Sequence, residues 1–463
     1  MTKSIAKLTG IDNLISAVKY VRSLKRVQEL AELDAHELQQ FQLERLKQIV
    51  RYAYENVELY NKKFRHAGVS PDDIQKLEDI QKLPITTKDD FKHFYPEGIL
   101  SKEYRPEDCY LLGTGGSTGT PVKIYMDIDA AIFNFAVSLP KLMARMPEIT
   151  VCAVVKDFLL KKNVTYLFIV VDKPTAVESL HSRVFWSMKH TVVNSLEPPE
   201  VHISEINKRR PKYIYTYPSV MRNICAVVRE KHLTVHQPSL IMLVGEVFDA
   251  PLRNLIKKTF KSELLDVYGS TEAGYMACEC SQHIGMHVLS WKVIVELIGD
   301  DNRVVPVGES GKVVITDLFN KATPIIRYEG LGDYAVQKVE PCSCGMCLPL
   351  LARVEGRVVD SLVLPDGQVI HPYHLTLALE DVPHISKFQI RQERPDYVKV
   401  LLVKDKSVEA KDEIIERRII ERFTSILKNQ VRVEVEIVPD IPRPAGSHKY
   451  ATVISLVGRD RTP

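Results

Sequence analysis

Residues 114–121, Thr-Gly-Gly-Ser-Thr-Gly-Thr-Pro, set three glycines and four hydroxyls ahead of a proline, and the β-like segment Val122-Lys-Ile-Tyr125 follows. Glycines let a backbone approach a phosphate chain, its amides donate hydrogen bonds, and the hydroxyls add further donors. Alone, such a segment reads better as a plain glycine-rich turn. A second concentration of chemistry lies in Cys278-Glu-Cys280-Ser-Gln-His283-Ile-Gly-Met-His287 and in Cys342-Ser-Cys344-Gly-Met-Cys347. Thiolates and imidazoles are the donors Zn²⁺ prefers, four in a tetrahedron at a structural site. Five of the eight cysteines fall in these two stretches, and in a reducing compartment such clustering argues for metal rather than disulfides. The residue types leave seven candidates for four places: Cys278, Cys280, His283, His287, Cys342, Cys344 and Cys347.

The elements that must position these groups divide the chain. At 463 residues it exceeds one compact core and suffices for two or three. Residues 1–92 read as a helical scaffold: Gln39 to Val50 repeats apolar residues three and four apart, and Pro84-Ile-Thr-Thr87 supplies a proline stop and a threonine cap. Residues 93–355 form the large domain. There Val151–Val155, Tyr166–Val171 and Leu240–Val244 are apolar runs alternating with helical stretches such as Val220–Lys231, which suggests buried parallel strands. Val293–Leu297 and Gly311–Thr316 are shorter β-like pieces of a β-rich subdomain. Residues 356–463 restart as a small α+β unit: a hairpin at Pro365-Asp-Gly367, strands at Ser386–Gln392, Tyr397–Val403 and Val431–Val438, and a helix from Ala410 to Lys428. The expected fold is α/β: a large N-terminal body with buried β-sheets flanked by helices plus the β-rich subdomain, then a small mobile α+β C-terminal domain.

Lys+Arg 62 against Asp+Glu 59 leaves a net charge of +3, without a one-sign run that would draw nucleic acid. Met1 to Val27 mixes basic and apolar residues, the pattern of an amphipathic helix and not of a signal peptide or a transmembrane segment. A cytoplasmic location is the expectation.

Several further segments stand in a fixed order after the loop: Gly245-Glu246, Tyr268-Gly-Ser-Thr-Glu272, Arg327-Tyr328 leading to Gly332-Asp333, Gly356-Arg357, and Pro442-Arg-Pro-Ala-Gly-Ser-His-Lys449. Together, over about residues 84 to 450, they resemble the adenylate-forming acyl-CoA ligase superfamily, in the branch of phenylacetate–CoA ligase. The resemblance implies ATP-dependent activation of an organic carboxylate, aryl or related, to an acyl-adenylate with release of pyrophosphate, then transfer to coenzyme A. It implies that Thr114, Gly115, Gly116, Ser117, Thr118 and Gly119 cradle phosphates, with Gly245, Glu246, Gly269 and Ser270 also at the nucleotide. Tyr268 would stack on adenine, Thr271 contact the α-phosphate, and Glu272 hold Mg²⁺, an ion that takes hard oxygen donors. Asp333 would take the ribose hydroxyls with Arg357 assisting, and Lys449 would bridge the α-phosphate and the substrate carboxylate. The branch also resembles this chain in a cysteine–histidine set that maps onto Cys280, His287, Cys342 and Cys344, implying structural Zn²⁺.

Two departures stand out. Thr120 occupies the place of the family loop's usual lysine, removing one cation from the β/γ-phosphate end. Val359, with Asp360 next, occupies the usual hinge position on which the C-terminal domain turns between the two half-reactions. Two alternatives follow: an adenylyltransferase that leaves AMP on a coenzyme-like acceptor without coenzyme A, and a non-catalytic nucleotide-binding protein. Retention of both Glu272 and Lys449 argues against the last. A small-molecule carboxylate is the expected partner, and a homodimer is left open.

Overall fold

The computed structural model describes residues 10–113, 122–137, 165–170, 189–195, 197–246, 248–357, 362–366, 369–370, 375, 378–379, 382, 385–404, 412–441 and 453–457. The chain divides into two units: residues 1–245, 257–331 and 335–353, and residues 246–256, 332–334 and 354–463.

The first unit begins with helices α1 (Gly10–Ala31), α2 (Ala35–Asn56), α3 (Glu58–His66) and α4 (Lys88–Phe94). Their starts are written locally. Asp34 Oδ1 accepts from Glu37 N at 2.8 Å while Glu37 Oε2 accepts from Asp34 N at 3.0 Å, the reciprocal box that satisfies two donors at the head of α2. Thr87 and Asp90 do the same for α4. The antiparallel pair β1 (Tyr110–Gly113) and β2 (Lys123–Met126) follows, then α5 (Ile128–Ala136), capped by Asp127, whose Oδ1 accepts from Ala130 N at 2.8 Å.

Apolar runs then build the main sheet. β3 (Thr165–Val170) and β4 (Lys189–Asn194) are followed by α6 (Pro199–Arg209), β5 (Tyr213–Thr216), α7 (Pro218–Glu230), β6 (Leu240–Val244), α8 (Ala250–Thr259) and β7 (Glu263–Ser270). These five strands are parallel in the order β4-β3-β5-β6-β7. Buried on both faces, they read as continuous aliphatic segments. β8 (Gly274–Glu279) and β9 (Met286–Val288) extend the sheet antiparallel, and β10 (Val293–Ile298), β11 (Ser310–Asp317), β12 (Asp333–Gln337) and β13 (Leu350–Arg357) complete it. The order among the described residues is β10-β11-β12-β13-β9-β8-β7-β6-β5-β3-β4. The β-rich part therefore joins the main sheet directly.

α1 and α5 cover one face of the parallel strands. Leu24, Val27, Ala131, Phe133 and Val137 pack there with Tyr213, Leu240, Leu265, Val267 and Trp291. In parallel α/β sheets the crevice at the carboxyl ends of the strands is where ligands bind. Val244 pairs with Val267, so Gly245 and the segment from Tyr268 onward emerge at that end.

The second unit holds the hairpin of β14 (Leu362–Val363) and β15 (Val369–Ile370), then β16 (Ile385–Arg394), β17 (Tyr397–Lys404), helix α9 (Asp412–Ile426), β18 (Arg432–Ile437) and β19 (Val453–Ser455). The last four strands form a sheet ordered β18-β17-β16-β19. Ile415, Ile419 and Phe423, one stripe of α9, bury against a core that includes Ile390, Val398, Val400 and Leu402. The expected strand at Val151–Val155 lies outside the described residues. No helix among the described residues is long and apolar enough to cross a membrane.

Candidate active site and metal cluster

The turn between β7 and β8 carries the first group of candidates. Ser270 pairs with Gly274 across the hairpin, which leaves Thr271, Glu272 and Ala273 as its tip. Ser270 Oγ accepts from Ala273 N at 3.1 Å, closing the turn. Two glycines are structurally required. A Cβ at Gly269 would stand 2.7 Å from Gly274 O, and Gly274 has φ +64 with Asn134 Oδ1 only 2.6 Å from where its Cβ would be. The Gly-Ser-Thr-Glu pattern is thus partly a backbone requirement. Tyr268 and Thr271 are half-buried, whereas Glu272 is 5% exposed.

A carboxylate at that depth needs partners. Tyr328 Oη donates to Glu272 Oε1 at 3.4 Å. Tyr328 is itself fully buried, edge-on to Phe91 with ring centroids 5.2 Å apart. Its backbone bridges Ile315 on one side and Thr86 on the other. Thr86 clamps the segment: its amide donates to Arg327 O at 2.8 Å and its hydroxyl to Ile326 O at 2.8 Å. The Pro84–Thr87 stretch, read from sequence as a helix stop, also positions the phenol that touches Glu272.

Arg327 does a different job. Its guanidinium forks onto Glu296 at 3.0 and 2.9 Å and donates to Gln81 O and Leu83 O at 3.1 and 2.7 Å. Burial pushes the Glu296 carboxyl upward, opposed by this arginine. With its donors used this way, Arg327 ties Glu296 on β10 to the 81–83 segment, and Tyr328 carries the contact to Glu272.

A second buried cation meets the same turn. Lys292 is 1% exposed, and its Nζ donates to Asp317 Oδ2 at 2.6 Å and to Ala273 O. Sequence reading assigned Lys292 no role. A lysine directly between Trp291 and the apolar run Val293-Ile-Val295 is the signal that could have found it, because a buried lysine must be paired.

Tyrosines gather on the sheet face that α5 covers. Tyr215 and Tyr217 from β5 and its end, and Tyr275 from β8, pack half-buried against that core. Burial drives the Tyr215 phenol well above its ordinary range, and the adjoining Tyr275 hydroxyl adds to the effect. Burial likewise raises Tyr275. Gly245, the residue after β6, lies beside the Tyr217 ring.

The cysteine–histidine candidates are sorted by where their side chains lie. Cys280, His287, Cys342 and Cys344 bring their ligand atoms within 4.8 Å of one another. Cys280 Sγ is 3.5 Å from Cys342 Sγ, and Cys344 Sγ is 3.2 Å from His287 Nε2. Zn–S bonds of about 2.3 Å place two tetrahedral sulfurs about 3.8 Å apart, so the spacing suits Zn²⁺. His287 Nδ1 lies 3.3 Å from Leu348 O, the outer contact that turns Nε2 toward the cluster. The other three candidates lie elsewhere. Cys278 packs into the core under α5, His283 Nδ1 sits 3.0 Å from Glu279 Oε1, and Cys347 is exposed.

The remaining candidates are distributed as follows. Glu246 belongs with the second unit, as do Asp333, which opens β12 after Gly332 at φ +68, and Arg357, whose backbone closes β13. The side chain of Arg357 and all of Thr114, Gly115, Gly116, Ser117, Thr118, Gly119, Thr120, Val359, Asp360 and Lys449 lie outside the described residues. β1 and β2, which flank the glycine-rich segment, pair from Tyr110 with Met126 to Gly113 with Lys123.

Comparison with known proteins gives a consistent result. The AMP-binding enzyme family matches residues 24–318, and the CapK C-terminal domain family matches residues 362–456. The phenylacetate-coenzyme A ligase of Thermus thermophilus is 26% identical over 365 residues, covering 77% of this chain and 78% of that one. That of Escherichia coli is 27% identical over 386 residues, covering 81% and 83%. Among solved structures, a 2-hydroxyisobutyryl-CoA ligase in the postadenylation state shares the fold with a TM-score of 0.75 at 20% identity, over 92% of this chain and 91% of that one. An anthranilate CoA ligase in complex with anthranoyl-AMP shares it with a TM-score of 0.52 at 16% identity, over 74% and 65%.

Proposed function

The chain belongs to the AMP-binding enzyme family, in its phenylacetate–CoA ligase-like branch, and from that premise we propose how its residues divide the work of an AMP-forming carboxylate–CoA ligase. In the first half-reaction a carboxylate oxygen attacks the α-phosphorus of ATP and pyrophosphate leaves with the electrons of the broken P–O bond. In the second, the thiol of coenzyme A attacks the acyl carbonyl and AMP leaves. Both partners of the first step are anions, so the site must supply positive charge and hold an in-line geometry.

The observation that carries the residue-level reading is the buried Glu272 at the hairpin tip, braced by Tyr328. Its oxygens suit Mg²⁺, which when bound neutralises phosphate charge. The Tyr328 hydrogen bond orients one carboxylate oxygen. Thr271 at the same tip has a hydroxyl to offer the α-phosphate, and Tyr268 a ring to offer adenine. We assign the phosphate cradle to residues 114–119 with Gly245, Glu246, Gly269 and Ser270 near the nucleotide, the ribose to Asp333 with Arg357, and the developing charge to Lys449. These assignments rest on the motif order.

For the acid we propose an aryl or related carboxylate. Support comes from Tyr215, Tyr217 and Tyr275 on one sheet face. For the cysteine–histidine cluster we propose structural Zn²⁺, held by Cys280, His287, Cys342 and Cys344. With four protein donors the position is closed, so the ion would tie the loop after β8 to the turn before β13 and leave chemistry to Glu272. Reduced, metal-binding thiols also favour a cytoplasmic location.

Purified protein incubated with ATP, Mg²⁺ and a panel of aryl acids, with and without coenzyme A, and analysed by mass tests the reading. Pyrophosphate release with an acyl-CoA product is expected. A stable AMP-bearing product that coenzyme A does not consume would overturn the second half-reaction, and no pyrophosphate with any acid would overturn the whole.

A further inference from the structure

We propose that Lys292 is a positioning residue for the Glu272 turn, and that the buried chain Lys292–Asp317–Asn320 locks this turn to the strand leaving the glycine-rich segment. The proposal rests on the reading of Glu272 as the Mg²⁺ carboxylate.

An ammonium 1% exposed must be paired and hydrogen-bonded. Asp317 alone would neutralise it. Yet Lys292 Nζ also donates to Ala273 O, the main-chain carbonyl directly after Glu272. That second bond fixes the hairpin tip against β11, on which Asp317 stands.

Asp317 passes the constraint on. Its Oδ1 accepts from Phe319 N at 2.7 Å and from Asn320 N at 3.0 Å. Asn320 Nδ2 donates to Tyr125 O at 3.0 Å and to Thr323 O at 2.8 Å, while its Oδ1 accepts from Asp127 N at 3.3 Å. Tyr125 N donates in turn to Thr323 Oγ1 at 3.1 Å. Tyr125 and Asp127 flank the last residue of β2, the strand that begins two residues after residue 121. Asp127 Oδ2 takes Lys321 N at 2.9 Å, and from α2 Arg45 donates to Leu318 O at 2.8 Å with its guanidinium over the Phe319 ring. The 317–323 turn is held from both sides.

An ordinary core ion pair and a positioning lysine make different forecasts. Removing the first lowers stability alone. Removing the second also loosens the Glu272 carboxylate relative to the phosphates, so Mg²⁺ contributes less to ATP binding.

The test uses full-length protein. Lys292→Met removes the cation, and Lys292→Met with Asp317→Asn removes both charges while keeping an oxygen for the two backbone amides. ATP affinity is measured by calorimetry with Mg²⁺ and with EDTA, alongside thermal unfolding. We expect a folded double variant whose Mg²⁺-dependent gain in ATP affinity falls about tenfold, with affinity in EDTA unchanged. A folded double variant that keeps the wild-type gain overturns the proposal. If Glu272→Gln abolishes the gain while the double variant keeps it, the proposal alone falls. If wild-type protein shows no Mg²⁺-dependent gain, the Glu272 reading falls and takes the proposal with it. Should both lysine variants fail to fold, Asn320→Ala spares the ion pair and cuts the chain at its far end. The same tenfold fall is expected of it, and a wild-type gain in that variant overturns the proposal equally.

Discussion

Tyr328 Oη stands 3.4 Å from Glu272 Oε1 with both side chains buried, so the acidic tip of the β7–β8 hairpin is gripped by a phenol 56 residues further along the chain. Tyr328→Phe removes the hydroxyl and keeps the ring against Phe91. Hydrogen bonds to charged groups contribute about 1.5–3 kcal/mol, and this one is long, so the lower end applies. Pyrophosphate release should fall about tenfold, since about 1.4 kcal/mol is a factor of ten in rate. Unchanged kinetics in the folded variant would remove Tyr328 from the site.

Metal analysis should find about one Zn²⁺ per chain, as one Cys₃His cluster requires. Chelation or Cys280→Ser should lower the unfolding temperature, because binding free energy at a structural site is folding free energy. Activity should decline through β8, whose far end leads into the Glu272 turn. Metal-free protein with full stability would end the zinc assignment.

Burial pushes the Cys109 thiol from 9.0 up to about 12, with the nearby Asp127 carboxylate adding to the shift, and burial pushes Cys225 to about 12. A pKa raised in the fold means stability that is intact below the unfolded value near pH 9 and is lost as pH climbs toward 12. Native protein treated with iodoacetamide at pH 8 should be alkylated at the exposed Cys347 and spared at Cys109 and Cys225. Peptide mass analysis reads this directly, and a denaturation series from pH 8 to 11 should show falling stability. Modification of Cys109 in folded protein would contradict its burial.

Lys449→Ala should cut adenylate formation by orders of magnitude while leaving thioester formation from a supplied acyl-adenylate largely intact. Single-turnover assays of each half-reaction separate the two. Equal loss of both would remove the role assigned to Lys449.

Much of the fold was legible because it is local. Thr87, read as a cap, heads α4 with Asp90 three residues on, and the apolar run Leu240–Val244, read as a buried strand, is β6. The Cys/His candidates were legible as a set, but choosing four of seven depends on how the loop after β8 and the loop before β13 bring their side chains together. Cys278 and Cys280 lie two apart in sequence and still separate, one packing under α5 and the other joining the cluster as β8 gives way to the loop.

By itself the sequence determined residue types and their order: a glycine- and hydroxyl-rich segment, an acid at 272, clustered thiols, and motifs in an order that names the family. Only the tertiary structure decided which side chains act on one another. Arg327 turned inward to Glu296 while its neighbour Tyr328 reached Glu272, and Lys292 was drawn to Ala273 O from the turn before β10. The physical reason is that a buried charge or hydroxyl must find its partner wherever the sheet brings one, and sheet neighbours such as β8 and β9, then β13, are set by long-range pairing that spacing along the chain does not encode.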